Sequence, residues 1–285
     1  MPKIDNSAKT RLDSLPLVSI VTPTYNSSST IAQCIQSAKA QTYKKIEIIV
    51  VDNFSADNTI ILAQGLGVKV LSQGPERSSQ MNYGVISAEG VYILRVDSDM
   101  ILDRDLVEKC LKLCNEGAEA VVIPVLPHPN GPKNFWVSCR MLEQKMLIDD
   151  MVNVAPRFID RKCFLAIGGY DETIVAWEDY DLHNRLLKSG CNVVSLKSSA
   201  LWHLGEPSSL SEVVIRMVKY GKTGSLGLFT RKHGLAGFKQ ISIIRPSFIR
   251  HRDCFRDDTI HFLGLIILKV IQSCSVAIGA LTDRI

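Results

Sequence analysis

No CxxC pair occurs in this chain of 285 residues, no GxGxxG follows its first apolar run, and no segment repeats. The first absence excludes zinc-ribbon and thioredoxin-type chemistry. The eight cysteines are scattered, and only Cys110 and Cys114 stand as close as four residues apart. Such usage fits reduced, buried thiols in a cytoplasmic compartment better than a disulfide framework. The second absence argues against a dinucleotide-dependent oxidoreductase, and the third against a solenoid or propeller. Residues 1–15 are polar with scattered charges and carry no cleavable signal pattern, so the expected location is cytoplasmic. There is also no basic low-complexity arm and no recognisable nucleic-acid module, so no nucleic-acid partner is expected.

Acidic residues are scarce in one region. Between residues 213 and 256 Asp253 stands alone against ten Lys or Arg, whereas the first 212 residues hold 21 basic and 25 acidic side chains, a net −4. A basic block of this size calls for an anionic partner, and a membrane surface is the leading reading. Residues 260–281 follow with Lys269 as their one charge. Projected as a helix, they gather His261, Gly264, Lys269, Gln272, Ser275 and Gly279 on one side and leave a broad apolar face. That pattern favours a helix lying at the interface of an anionic membrane on its cytoplasmic face. A span is permitted by length, and docking on the core is the other alternative.

What is present in the first half is alternation. Continuous apolar runs over 17–22 and 46–51 read as strands buried on both faces. Ile31, Ile35 and Ala38 form one stripe of a helix over 31–41. Segments 58–65, 68–71, 77–88, 91–96, 106–115 and 120–125 continue the alternation. The expected fold class is α/β, a three-layer α/β/α sandwich with a mostly parallel central sheet and right-handed crossovers. Segment 124–132 is Pro-rich and reads as a loop. Helices are expected over 136–146 and 177–189, a strand over 191–196, and helices beyond 208.

Chemistry concentrates where strands end. The run Val91–Val96 stops at Asp97-Ser98-Asp99. In an extended segment residues two apart share a face, so Asp97 and Asp99 are expected side by side with a cation between them, Mn²⁺ or Mg²⁺. Asp99 or Asp103 as a helix cap is the plain alternative. Pro23-Thr24-Tyr25-Asn26 follows the first strand and can offer an aromatic face and amides to a base. Asp52 ends the second strand, where its carboxylate can accept from uracil or guanine; a capping turn is the other reading. Glu178-Asp179 opens a helix, where the dipole stabilises carboxylates and can keep a general base ionised. Inverting sugar transfer needs one carboxylate to take the acceptor's proton while a cation neutralises the departing diphosphate. Asp179 suits the first task with Glu178 beside it, and His203 can add an imidazole to the metal.

Taken together these segments resemble the family 2 glycosyltransferases of the GT-A fold. The resemblance runs from about Val18 to His203. It is carried by residues 18–26 (VSIVTPTYN), 49–59 (IVVDNFSADNT), Asn82-Tyr83-Gly84 before Ala88-Glu89-Gly90, Asp97-Ser98-Asp99, Gly168-Gly169-Tyr170-Asp171, and Glu178-Asp179-Tyr180-Asp181-Leu182 with Arg185. It implies nucleotide contacts from Pro23, Thr24, Tyr25, Asn26, Asp52 and Asp97. Arg77, Gln80 and Asn82 then lie where the family lines ribose and donor sugar, with a surface ion pair as the equal alternative for Arg77. It implies a metal diphosphate held by Asp97 and Asp99, and Asp179 as the base. Asn53 and Phe54 depart from the family's usual Asp-Gly or Asp-Ala, and no QxxRW motif is present, which argues against a processive synthase. The implied division is a tail (1–15), a nucleotide-sugar half (16–125), an acceptor and catalytic half (126–207) and a basic helical region (208–285). The implied activity is transfer from a nucleotide diphosphate-sugar, UDP before GDP, to a glycan or lipid-linked acceptor such as a polyprenyl phosphate. A sugar nucleotidyltransferase and a non-catalytic nucleotide-sugar or lipid-binding module are the competing readings.

Overall fold

The computed structural model describes residues 15–282 except 148, 149, 153 and 244. The expected tail over 1–15 lies outside the described residues apart from its last position. Ten strands are found among them: β1 (Val18–Thr24), β2 (Ile46–Asp52), β3 (Lys69–Ser72), β4 (Tyr92–Arg95), β5 (Met100–Leu102), β6 (Ala120–Val122), β7 (Val125–Pro127), β8 (Pro156–Asp160), β9 (Val193–Ser195) and β10 (Leu201–His203). The helices are α1 (Ile31–Lys39), α2 (Thr59–Gly65), α3 (Arg77–Ile86), α4 (Leu106–Asn115), α5 (Phe135–Leu147), α6 (Arg161–Ala166), α7 (Glu178–Lys188), α8 (Leu210–Lys222), α9 (Ser225–Ile241), α10 (Pro246–Arg250), α11 (Arg252–Asp257) and α12 (Thr259–Thr282).

Seven strands form the main sheet in the order β3-β2-β1-β4-β8-β6-β9. Only β8 runs against its neighbours. Every residue of β1 is buried, as a strand covered on both faces requires. Val18 and Ile20 join a cluster with Leu106, Val107 and Cys110 from α4; Val21 joins Met81 and Val85 from α3 with Leu182 and Leu186 from α7. Helices therefore cover both faces, and the three-layer reading holds. Cys110 and Cys114 are core residues, as expected. Gly84 sets how near α3 lies to the sheet, since a Cβ there would stand 2.5 Å from Val21 Cγ1 and 2.9 Å from Val51 Cγ2.

Three features differ from the sequence expectation. The run over 120–125 is two strands, because Pro124 has no N–H for a ladder. β6 stays in the main sheet while β7, expected as loop, pairs with β10 in a second sheet of order β5-β10-β7. Strand β8 was not anticipated: only Phe158 and Ile159 in it are strongly apolar, and its partners lie far away in sequence. The C-terminal helices wrap back onto α5, where Cys139, Leu142, Met146, Val213, Phe248, Leu265 and Leu268 form a separate core.

Candidate active site

The parallel strands deliver Thr24, Asp52 and Arg95 to one edge of the sheet, the carboxyl-terminal edge where such folds hold ligands. Two main cavities open there, and a third of about 260 Å³ between them shares Asp97 and His203 with one and Arg140 and Arg157 with the other. One, of about 430 Å³, is lined by Pro23, Thr24, Tyr25, Gln80, Asp97, Asp99 and His203, among others. The other, of about 400 Å³, is lined by Trp177, Glu178, Asp179 and residues of α5, α8 and α12. Arg77 and Tyr220 belong to both walls.

The turn after β1 is built from local hydrogen bonds. Asn26 adopts a left-handed backbone (φ 47°), accepts from the Ala56 amide (2.9 Å) and donates its own amide to Ser55 Oγ (2.8 Å). It thus ties two loops together. Asp52 is fully buried, and its two oxygens accept from the Ser55 amide (2.7 Å) and Ser55 Oγ (2.5 Å). Both residues lie off the lining of the 430 Å³ cavity, whereas Tyr25, 60% exposed, lies on it. Gln80 Nε2 clips the ends of β1 and β2 by donating to the Thr24 and Val51 carbonyls (2.9 and 2.6 Å). Asn82 faces elsewhere: it donates to the Tyr170 carbonyl (2.9 Å) and Glu172 (2.8 Å) and accepts from the Tyr170 amide (2.8 Å). Its carboxamide fastens α3 to the Gly168-Gly169 turn.

The Asp97/Asp99 pair departs from expectation. Strand β4 ends at Arg95, so Asp97 and Asp99 do not follow the alternation of a strand, and although both line the 430 Å³ cavity they take different partners. Asp97 accepts from Arg95 Nε and Arg157 Nη2, both at 3.1 Å. Burial alone would raise its pKa, but Arg95, Arg157 and Arg77 outweigh it and hold the carboxyl well below the usual range. Asp99 instead meets His203 Nε2 at 3.1 Å, and His203 Nδ1 meets Glu206 at 3.1 Å. Burial lowers the His203 pKa, yet the hydrogen bonds to Asp99 and Glu206 carry it up to about 9.

Asp99 and His203 would fit a divalent cation once the cation displaces the proton that the contacts with Asp99 and Glu206 hold on His203. Their ligand atoms converge on the cavity, and Gly205 keeps the approach clear, since a Cβ there would stand 2.6 Å from Asp99 Oδ2. One carboxylate and one imidazole suit Mn²⁺ and leave positions for phosphate oxygens and water. Asp97, drawn to two arginines, does not close a three-ligand cage. Among the described residues only Glu119, Cys163 and Cys191 bring three such ligand atoms within 4.8 Å of one another.

The acids of α7 occupy the other cavity. Trp177 is left-handed (φ 66°) immediately before the helix, a strained conformation of the kind that gathers at functional sites. It starts α7 so that Glu178 and Asp179 occupy its first turn. Asp179 Oδ1 accepts from Arg95 Nη1. Glu178 pairs with Arg77 (3.3 Å) and Arg95 (3.6 Å). Burial and then the charge of Asp179 raise the Glu178 pKa, with Arg77 and Arg95 only partly offsetting them. Arg95, 2% exposed, therefore links Asp97 in one cavity to Asp179 in the other, and Tyr170 covers it through its hydroxyl (3.0 Å) and its ring. Sequence reasoning missed Arg95, Arg157 and Glu206. For Arg95 a signal existed: an arginine inside an apolar strand must find buried partners.

Residues 19–167, more than half of the chain, match the profile of the family described as "Glycosyl transferase family 2". The chain belongs to that family. As a family 2 glycosyltransferase it resembles an uncharacterised glycosyltransferase of Rickettsia typhi, 29% identical over 223 residues, 68% of this chain and 70% of the other. A chondroitin synthase of Escherichia coli is 28% identical over 63% of this chain and 28% of its own length. Among solved structures, a Pyrobaculum calidifontis mannosyltransferase in complex with GDP-Man and Mn²⁺ superposes with a TM-score of 0.65 at 13% identity, covering 98% of this chain and 94% of that one. Staphylococcus aureus TarS (residues 1–349) in complex with UDP-GlcNAc gives 0.54 at 15% identity, over 94% and 90%. These likenesses bear out the GT-A fold, and family membership makes the protein a glycosyltransferase rather than a nucleotidyltransferase or a binding module.

Proposed function

We propose that this glycosyltransferase inverts the sugar it transfers, taking it from a nucleotide diphosphate-sugar, UDP before GDP, to a lipid-linked glycan or polyprenyl phosphate at the cytoplasmic face of a membrane. The observation that carries the reading is the division of the site: Asp99 and His203 line one cavity, Asp179 the other, and Arg77 stands in both walls. A base and a leaving group on opposite sides of the transferred carbon are what inversion needs.

In this reading Pro23, Thr24 and Tyr25 flank the nucleotide and Gln80 fixes the strand ends beneath it, while Asn26 and Asp52 act by shaping the two loops. Asp99 and His203 hold Mn²⁺ or Mg²⁺, which supplies positive charge to the departing diphosphate. From a hydroxyl acceptor Asp179 takes the proton on Oδ2, since Arg95 engages Oδ1, whereas a phosphate acceptor attacks through an oxygen that is already ionised. The acceptor oxygen then bonds to the anomeric carbon as the bond to the diphosphate breaks. Glu178 and Arg77 steady the partition between donor and acceptor. The nucleotide-sugars and Mn²⁺ in the complexes of the structural neighbours support the donor and metal assignments.

Membrane association is supported by how α12 is turned. Gly264, Ser275 and Gly279 are buried and Lys269 lies against Glu143, while Ile260, Leu263, Ile267, Val270, Ile278 and Leu281 are exposed. The buried side of the helix is mixed, since Leu265, Leu268 and Val276 are buried beside these small and polar residues, but its outer face is an apolar stripe where a soluble surface helix is polar.

Calorimetry with UDP, GDP and dTDP, each with and without Mn²⁺, tests the donor site. Metal-dependent binding of one nucleotide is expected; no binding to any by folded protein would remove the reading. Asp179→Asn is expected to bind the donor as before and to lose transfer to a hydroxyl by at least ~100-fold, the usual worth of a positioned base. Undiminished transfer in that variant would refute its role.

A further inference from the structure

The wall of the acceptor-side cavity carries five cationic side chains, Arg77, Arg140, Arg157, Arg245 and Lys269, against the acids Glu143, Glu178 and Asp179. Glu178 and Asp179 are committed to Arg77 and Arg95. Glu143, almost fully buried, accepts from both Arg245 (3.1 Å) and Lys269 (2.5 Å). Arg140 goes to Glu206 (2.8 Å), Arg157 to Asp97 (3.1 Å), and Asp150 also acts on Arg245 from outside the lining. Most of these charges are thus answered, and most of their hydrogen bonds are made, Arg245 to Tyr180 and Lys269 to Glu143 included, but two donors are left over. Arg157 Nη1 and Arg245 Nε are buried, with no hydrogen-bond partner among the described residues.

Guanidinium and ammonium groups donate only, so what completes such a wall must be rich in acceptor oxygens. An unmade bond to a buried charged donor is costly, and a phosphate satisfies several at once. Lys269 carries the same message: burial, opposed by Glu143 but reinforced by Arg245, lowers its pKa to about 8. Beside Gln144, Tyr180, Ser195 and Tyr220, the lining has an apolar part, with Val122, Ile123, Val125, Leu147, Val154 and Met217. Lys269 itself comes from α12, the helix whose outer face is an apolar stripe.

We infer that this cavity recognises a phosphate group on an amphiphilic acceptor, bound among Arg157, Arg245 and Lys269 with its hydrocarbon against the apolar wall. The inference rests on the glycosyltransferase reading for its place in the reaction, but the subsite is defined by its own residues. The shared chemistry is a phosphate ester; a prenyl phosphate delivered from a membrane and a soluble phosphate ester are its two sources.

The test uses the full-length protein and three probes, farnesyl phosphate below its critical micelle concentration, farnesol and inorganic phosphate, followed by calorimetry and by the fluorescence of Trp177 in the cavity wall. Farnesyl phosphate is expected to bind at least ~10-fold tighter than farnesol, the worth of one hydrogen bond to a charged group, and inorganic phosphate to compete with it. Tighter binding of farnesyl phosphate than of inorganic phosphate assigns the lipid source. Equal binding overturns the hydrocarbon half of the proposal and assigns a soluble ester. Lys269→Met is expected to weaken farnesyl phosphate binding by ~10-fold and Glu143→Gln to strengthen it, opposite signs that mere loss of packing would not produce. Arg157→Gln, at the less buried of the other two binding positions, is the second weakening variant should Lys269→Met fail to fold. Equal affinity for farnesol and farnesyl phosphate, or variants that fold and leave the affinity unchanged, would overturn the inference. Nucleotide binding measured on the same samples separates that failure from a failure of the glycosyltransferase reading.

Discussion

Arg95 lies at the end of a strand whose other residues are Tyr92, Ile93 and Leu94, where three carboxylates and a tyrosine hydroxyl offset the cost of burying its guanidinium charge. Burial opposes its charge, and Asp179 and Asp97 restore it. Glu143 is the mirror case in the C-terminal half. Burial would raise its pKa, but Lys269, Arg245 and Arg140 bring it from the ordinary 4.5 down to about 2. The folded chain therefore binds fewer protons there than the unfolded chain between those values. This stabilisation is fully present above about pH 4.5 and is lost as pH falls toward 2. The stability difference between wild type and Glu143→Gln, read by urea denaturation, is expected to narrow across that window. A difference independent of pH would contradict it. At this scale the acids were legible in the sequence, because DSD and EDYD stand as short motifs. Their partners were not: Arg157 reaches Asp97 across 60 residues, and Arg95 reaches Asp179 across 84.

Among elements, α12 and its contact with α8 decide the C-terminal half. Gly279 meets the Val218 carbonyl so closely that a Cβ would stand 2.2 Å from it, and one on Gly221 would stand 2.2 Å from the Val276 carbonyl. Backbone touches backbone, so neither glycine has room for a side chain. Gly279→Val is expected to force the two helices apart and cost ~1–3 kcal/mol, the usual penalty of overpacking. A lowered melting temperature with unchanged helix content by circular dichroism would show it; an unchanged melting temperature would not fit this packing. The helix itself was legible, expected over 260–281 and found as Thr259–Thr282. Its orientation was not, because periodicity reports two faces without saying which one the protein covers. β8 escaped for a related reason, since an antiparallel strand inserted between β4 and β6 is specified by its partners rather than by its own few apolar residues.

For the whole molecule, the basic region over 213–256 and the outward stripe of α12 occur together, and exposed Ile215 and Ile249 add to the apolar surface. Charge draws a protein to an anionic bilayer and apolar side chains hold it there. The full chain is expected to co-sediment with vesicles containing anionic lipid and less with neutral ones. Ile260→Ser with Ile267→Ser and Ile278→Ser should reduce sedimentation without lowering the melting temperature, because these side chains are 71%, 52% and 54% exposed. Full retention of that triple variant on vesicles would exclude the stripe as the contact. The sequence by itself determined the layered α/β class, the order of the motifs and the family, because buried parallel strands and the carboxylates at their ends are written locally, within a few residues of one another. Only the tertiary structure decided that Asp97 turns to arginines while Asp99 turns to His203, that Asn82 and Asp52 brace loops, and that the two cavities share a wall. Those outcomes depend on which distant groups a fold brings within hydrogen-bond reach, and local patterning does not specify that.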